Sequence, residues 1–165
     1  MYNELENTLT PQAEMAMQDH ATHHAQSMGH NVTDTGHLLL GIMSPNPQTK
    51  EESIVARNLH NAFGITYGEV RRTVAAIDHV TTRFPGTPRN TPSVKKVLKR
   101  AAKFAKRDKK SGRYTKLVIT RFHIAEALAN VSDPMFLQVL EGLGLTREQF
   151  TNAVKGNRVL LTTAK

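Results

Sequence analysis

Residues 30–41 read His30-Asn31-Val32-Thr33-Asp34-Thr35-Gly36-His37-Leu38-Leu39-Leu40-Gly41, and the apolar run they open continues to Met43. Thr35 reads as an N-cap, since a hydroxyl there accepts from backbone N–H groups that a first helical turn leaves unpaired. Residues 38–43 are then a short apolar helix.

Upstream, residues 11–28 carry Ala13, Ala16, Met17, Ala21, Ala25 and Met28 at spacings of three or four, the mark of one helical face. Thr10-Pro11 opens that helix and Gly29 stops it. Downstream, Pro45, Asn46 and Pro47 make residues 44–50 a loop. A third helix is expected over 51–63, burying Ile54, Val55, Leu59 and Ala62. Thr66 and Glu69 form a capping box for a fourth, through about residue 78. Residues 80–90 hold two prolines and a glycine and read as an exposed linker.

The pattern then begins again. Thr91-Pro92 repeats Thr10-Pro11, and Val94, Val97, Leu98, Ala101, Phe104 and Ala105 form the inner face of a fifth helix that Gly112 breaks. Thr120 caps a sixth through residue 130, Asp133-Pro134 a seventh, and Thr146 with Gln149 an eighth. One His opens each second helix, His37 and His123. Phe63-Gly64-Ile65-Thr66 is mirrored by Leu143-Gly144-Leu145-Thr146. No stretch alternates strictly enough to suggest a sheet. The expected fold is all-α: two tandem four-helix repeats, eight helices, related by a pseudo-twofold axis. The repeats span 9–79 and 91–156, with linker 80–90 and tail 157–165. Each repeat alone is a small core, so the two should pack together, with clefts where they meet.

The stretch from His30 to Gly41 resembles the G-H-N-x-x-G-T-E-H-[IL]-L-L-G-L signature of the Clp N-terminal domain, the double-repeat module preceding the ATPase rings of ClpA, ClpB and ClpC unfoldases. Residues 119–128, Ile119-Thr120-Arg121-Phe122-His123-Ile124-Ala125-Glu126-Ala127-Leu128, keep the His and its spacing in degenerate form. The resemblance covers residues 9–156. It implies a non-catalytic module that docks adaptors or unfolded substrates for a Clp ATPase and protease system. No G-x-x-x-x-G-K-[ST] phosphate loop occurs in the sequence, so the chain is expected neither to bind nor to hydrolyse ATP. It is either a module cut from a longer ATPase or a stand-alone relative acting in trans, and the Met1 start and divergent second repeat favour the latter.

In the ClpC branch the Glu of each T-E-H motif helps bind phosphorylated arginine. Aligned on the His, that Glu is Gly36 here and Phe122 in the second repeat. Neither supplies the carboxylate that a guanidinium needs, so this recognition is not expected. Gly36 should leave space in its cleft; Phe122 should add apolar area where it points into the second cleft, or else pack inward and close it, and an alignment shifted by one would put Arg121 at the site. The candidate peptide or adaptor cleft comprises Thr10, Thr35, Gly36, His37, Thr91, Arg121, Phe122 and His123.

Net charge is +8, divided as −4 over residues 1–85 and +12 over residues 86–165. Much of the excess lies on the fifth helix, where Lys95, Lys96, Lys99, Arg100, Lys103, Lys106, Arg107 and Lys110 stand opposite its apolar face. These eight are a candidate surface for an acidic protein partner. The plain alternative is a solvated face; another is nucleic-acid binding through phosphates, which a single basic helix would do weakly and with strong salt dependence. Aromatics are 5% and Trp is absent, thin for base stacking.

The absence of cysteine excludes disulfides, thiolate metal sites and cysteine nucleophiles, and fits a cytoplasmic location. No apolar run is long enough for a membrane span, and the N-terminus is not a secretory signal. His20 and His24 have i, i+4 spacing, but no third metal ligand stands at a known position, so no metal and no cofactor are assigned. His37 and His123 are expected to tie a ring nitrogen to backbone in neutral form. No G-x-S-x-G elbow is present, and no enzymatic activity is expected. Met15, Met17, Met28, Met43 and Met135 read as core fillers.

Overall fold

The computed structural model describes residue 10 and residues 20–45, 49–77 and 88–163, with side chains described as far as Lys155. The elements are α1 (Thr22–Ser27), β1 (Val32–Thr33), α2 (Thr35–Met43), α3 (Ile54–Phe63), α4 (Tyr67–Ala76), β2 (Arg89–Asn90), α5 (Pro92–Lys110), α6 (Arg121–Asn130), α7 (Pro134–Gly142) and α8 (Arg147–Thr163). Expectations for residues 11–19 of the first helix and 80–87 of the linker lie outside the described residues.

Eight helices therefore form among the described residues, and their packing repeats. In each half the first helix packs on the second (α1 on α2, α5 on α6) and the second on the fourth (α2 on α4, α6 on α8). The halves also cross over: α3 lies on α8 of the other half, as α7 lies on α4, while α2 meets α6 at the centre. The apolar stripes of both halves feed one cluster that includes Leu39, Ile42, Val70, Val97, Ile124, Phe136 and Phe150, all essentially inaccessible. Pooling two small cores in this way enlarges the buried fraction that each half alone would lack.

The crossover extends to the backbone. The Thr91 N–H donates to Thr33 O at 3.0 Å, and the Thr10 N–H donates to Ile119 O at 3.1 Å. Each Thr-Pro start is thus pinned to the residue before the second helix of the other half. Around Thr91 this grows into a parallel ladder pairing Val32 with Arg89 and Thr33 with Asn90. No sheet was expected there, because a two-residue strand shows no period of two. Pro88 is buried and Arg89–Asn90 are paired, so this end of the expected exposed linker is instead part of the junction.

Three helix boundaries differ from expectation. The N-cap of α2 is Asp34, whose carboxylate accepts from the N–H of Gly36 at 2.9 Å and of His37 at 3.2 Å. A charged acceptor at this end also gains from the helix dipole. Thr35 is left as the first helical residue, and its hydroxyl donates to Asp133 Oδ2 instead. Helix α3 begins at Ile54, three residues late, because the Ser53 hydroxyl turns to the carbonyl of Ile42 rather than capping. Helix α8 runs through Gly156 to Thr163, across the expected tail. The capping boxes of α4 and α8 and the Thr91, Thr120 and Asp133 caps form as read, and at α6 His123 completes a further box that was not expected.

Candidate functional site

The two signature histidines are structural keystones. Each stands at the third position of its helix and closes a capping box, the role usually taken by Glu or Gln. The N–H of Asp34 donates to His37 Nδ1 at 3.1 Å, and that of Thr120 to His123 Nδ1 at 2.9 Å. Accepting at Nδ1 leaves the ring proton on Nε2. In the second half Nε2–H donates to Asp108 Oδ2 at 3.0 Å; in the first, His37 Nε2 meets His30 Nδ1 at 2.7 Å. Both rings are fully buried. Thr35 and Gly36 are buried beside His37.

Gly36 opens no space. A Cβ added there would lie 3.2 Å from Asp34 Oδ1 and 3.3 Å from Val74 Cγ1. The room expected at this position is filled by α4.

The other junction is open. A cleft of about 350 Å³ lies between the approach to α3 and the start of α6, lined by Glu51, Glu52, Ser53, Ile54, Tyr114, Thr120, Arg121 and Phe122. The late start of α3 leaves Glu51 and Glu52 exposed ahead of the helix rather than within its first turn. Phe122 packs partly on the core and presents the rest of its ring to the cleft. Arg121 donates from Nη1 to the carbonyls of Ile42 at 3.1 Å and Ser44 at 2.7 Å, closing the C-terminal end of α2. Burial holds its pKa below the usual arginine value, and its charge-assisted bonds tie α6 to α2 across the junction. A second depression of about 370 Å³ adjoins it across Glu52, lined by Met43, Pro45, Ala56, His60, Ile65 and Tyr67 among others.

The structure thus gathers Arg121 and Phe122 at one cleft, with Thr10 bonded beside it and His123 in the wall beneath. Thr91, Thr35, Gly36 and His37 belong to the other junction. Glu51, Glu52, Ile54 and Tyr114 were not singled out from sequence as cleft residues. Nothing local marks them, because they meet only through the crossover of the halves.

On α5 the expected basic face is exposed, with one correction. Arg107 is engaged within the fold: Nη1 and Nη2 grip Glu126 at 3.2 Å each, Nε reaches Asp108 at 3.1 Å, and the guanidinium covers the Phe104 ring at 4.8 Å. The Glu126 contact raises its pKa further.

His24 carries a pH prediction. It is buried on α1 with its Nε2 against the Tyr67 hydroxyl of α4, and its pKa falls from 6.5 to about 4, through burial first and then the charges of Arg71, His23, His20 and His37. Its folded pKa lies below its unfolded one, so between pH 6.5 and 4 the unfolded chain binds the extra proton. The stability that neutral His24 provides is complete above pH 6.5 and is lost as pH falls toward 4. At about 1.4 kcal/mol per pKa unit, His24→Gln should flatten the loss between pH 7 and 4.5 by about 2 kcal/mol, read from urea midpoints. Parallel curves for both proteins would refute the assignment.

Among the described residues, no group of three His, Asp or Glu side chains converges as a metal site, and no helix is long and apolar enough to cross a membrane. What remains is an all-α double-repeat scaffold with an open cleft where its halves cross. The profile of the Clp repeat (R) N-terminal domain matches residues 8–117, and the chain belongs to that family, a non-catalytic N-terminal module associated with Clp ATPases. Solved structures with the same fold include the N-terminal domain of the chaperone ClpD from Arabidopsis thaliana, 23% identical, with TM-score 0.67 over 92% of this chain and 98% of that one. The N-domain of ClpV from Vibrio cholerae is 17% identical, with TM-score 0.66 over 98% and 90%. A ClpV N-domain in complex with a VipB peptide is 15% identical, with TM-score 0.60 over 94% and 92%. Comparison with curated protein sequences finds no match.

Proposed function

We propose that this chain docks adaptors or unfolded substrate polypeptides for a Clp ATPase, in cis where the ATPase lies on the same polypeptide and in trans where it does not. The junction cleft is the observation that carries this reading. It offers apolar surface from Ile54, Tyr114 and Phe122, with polar groups at its edge, in a frame pinned by Arg121 and the Thr120–His123 capping box. Such mixtures on a rigid scaffold suit extended peptides. The peptide-bound ClpV N-domain supports a protein partner for this fold. Glu51 and Glu52 favour segments that mix apolar and basic side chains. The domain takes no part in nucleotide chemistry, since the sequence holds no phosphate loop.

The test is fluorescence anisotropy with a labelled decapeptide of alternating Leu and Lys. Phe122→Ala should weaken binding roughly fivefold to tenfold, the equivalent of about 1 kcal/mol of lost apolar contact. Unchanged affinity in that variant would move the binding surface elsewhere.

A further inference from the structure

Helix α5 exposes Lys95, Lys99, Lys103, Lys106 and Lys110 at spacings of four, four, three and four. That row follows one face for roughly 22 Å at 1.5 Å per residue. Arg100 stands beside it. An ordinary solvated helix interleaves acids with bases, because like charges at i, i+4 destabilise it. Here the one acid of α5, Asp108, is buried against His123, and the exposed face carries no negative side chain at all. Lys95 and Lys96 also stand near the helix N-terminus, where the dipole disfavours cations. A face that crowds one sign in this way is stabilised when an anion lies along it.

We propose that the exposed face of α5 is a docking ridge for an acidic polypeptide segment, continuous with the junction cleft; the cleft's own role rests on the function proposed above. Two observations select a polypeptide over a nucleic acid. The ring beside the ridge is engaged: Phe104 packs partly on the core and lies under the Arg107 guanidinium, so it offers no open face for base stacking. And the chain leaving the ridge at Lys110 passes through exposed Arg113 straight into Tyr114 of the cleft. A segment lying along α5 is thereby led into a site already suited to peptide.

The experiment uses the full chain at 50 and 200 mM salt, with anisotropy read from three labelled probes: a decapeptide of alternating Glu and Ala, its Gln counterpart, and a random 20-base-pair DNA duplex. The Glu peptide should bind at 50 mM salt and weaken at 200 mM, and the Gln peptide should bind at least tenfold more weakly. Lys99→Glu/Lys103→Glu/Lys106→Glu should cost the Glu peptide at least tenfold while leaving the Leu–Lys peptide in the cleft no weaker. Its thermal midpoint should not fall, since Lys95 and Lys110 gain acidic neighbours at i, i+4 while the pairs among the three changed positions stay like-charged. Lys103→Gln, a milder change, should cost roughly twofold to threefold. Equal affinity of the Glu peptide for wild type and both variants overturns the ridge, as does tenfold tighter binding of the duplex than of the Glu peptide. Loss of the Leu–Lys signal alone would indict the cleft and leave the ridge standing.

Discussion

Asp108→Ala is expected to lower the unfolding free energy by about 3 kcal/mol, the top of the roughly 1–3 kcal/mol range for leaving a buried hydrogen-bonding group unsatisfied. The reason lies in what the carboxylate holds. Asp108 is 2% exposed and receives His123 Nε2–H at 3.0 Å, Arg107 Nε at 3.1 Å and Arg113 Nη1 at 3.5 Å. Both arginines are substantially exposed and find water when it is gone, so their share is small. His123 does not. Its ring is fully buried and its other nitrogen is committed to the Thr120 backbone, which leaves an Nε2–H donor stranded in the core. For a chain of this size the loss corresponds to roughly 6–12 °C in thermal midpoint. Asp108→Asn, which keeps an acceptor of the same shape, should recover about half. A loss below about 1 kcal/mol for the alanine variant, in urea denaturation at pH 7, would show that the pair is structurally idle.

This network marks the limit of what the sequence discloses. Asp108 appears there as a lone acid in a basic run, and its partner lies fifteen residues away in another helix. The wheel places it correctly on α5 but has no term for a neighbour across the bundle. Arg107, one turn position aside, looks like one more surface cation for the same reason. The helices themselves were legible because each buries one face, and apolar spacing records that directly: Val55 and Leu59 on α3, or Val94, Val97, Leu98 and Ala101 on α5, are buried as read, while Ala62 at the end of α3 is exposed. Caps were legible wherever the side chain bonds its own helix, as Thr66, Thr91, Thr120 and Asp133 do. The reading failed where a competing partner intervened: Thr35 turns to Asp133, and Asp34 takes the cap in its place. The crossover of the halves, and with it the lining of the cleft, brings Thr10 to Ile119 and puts Glu51 and Glu52 in one cleft with Tyr114. Both join segments more than sixty residues apart, which no local period encodes.

Gly36→Glu gives the second large effect, and it separates two ideas about the family's lost carboxylate. Were the position merely vacated, restoring a carboxylate would cost little and add a guanidinium acceptor. The packing says otherwise. The first atom of the new side chain would press on Val74, which is fully buried, and stand 3.2 Å from the Asp34 carboxylate that caps α2. A second anion forced beside that one meets like-charge repulsion in a poorly solvated corner, only partly offset by about 0.3–1 kcal/mol of helix-dipole stabilisation. The expected cost is about 2–4 kcal/mol by analogy with other unpaired buried charges. Gly36→Ala removes the charge from the comparison and should cost at most about 1 kcal/mol, since the valine methyls must give only a few tenths of an ångström and alanine in the helix offsets part of that. Gly36→Gln keeps the length without the charge and should fall between them. Free phosphoarginine, titrated by calorimetry, should bind neither the wild type nor the Gly36→Glu/Phe122→Glu double variant at low micromolar concentration. A stable Gly36→Glu protein that gains such binding would mean that α4 yields readily at Val74 and that the position is a dormant site rather than filled core.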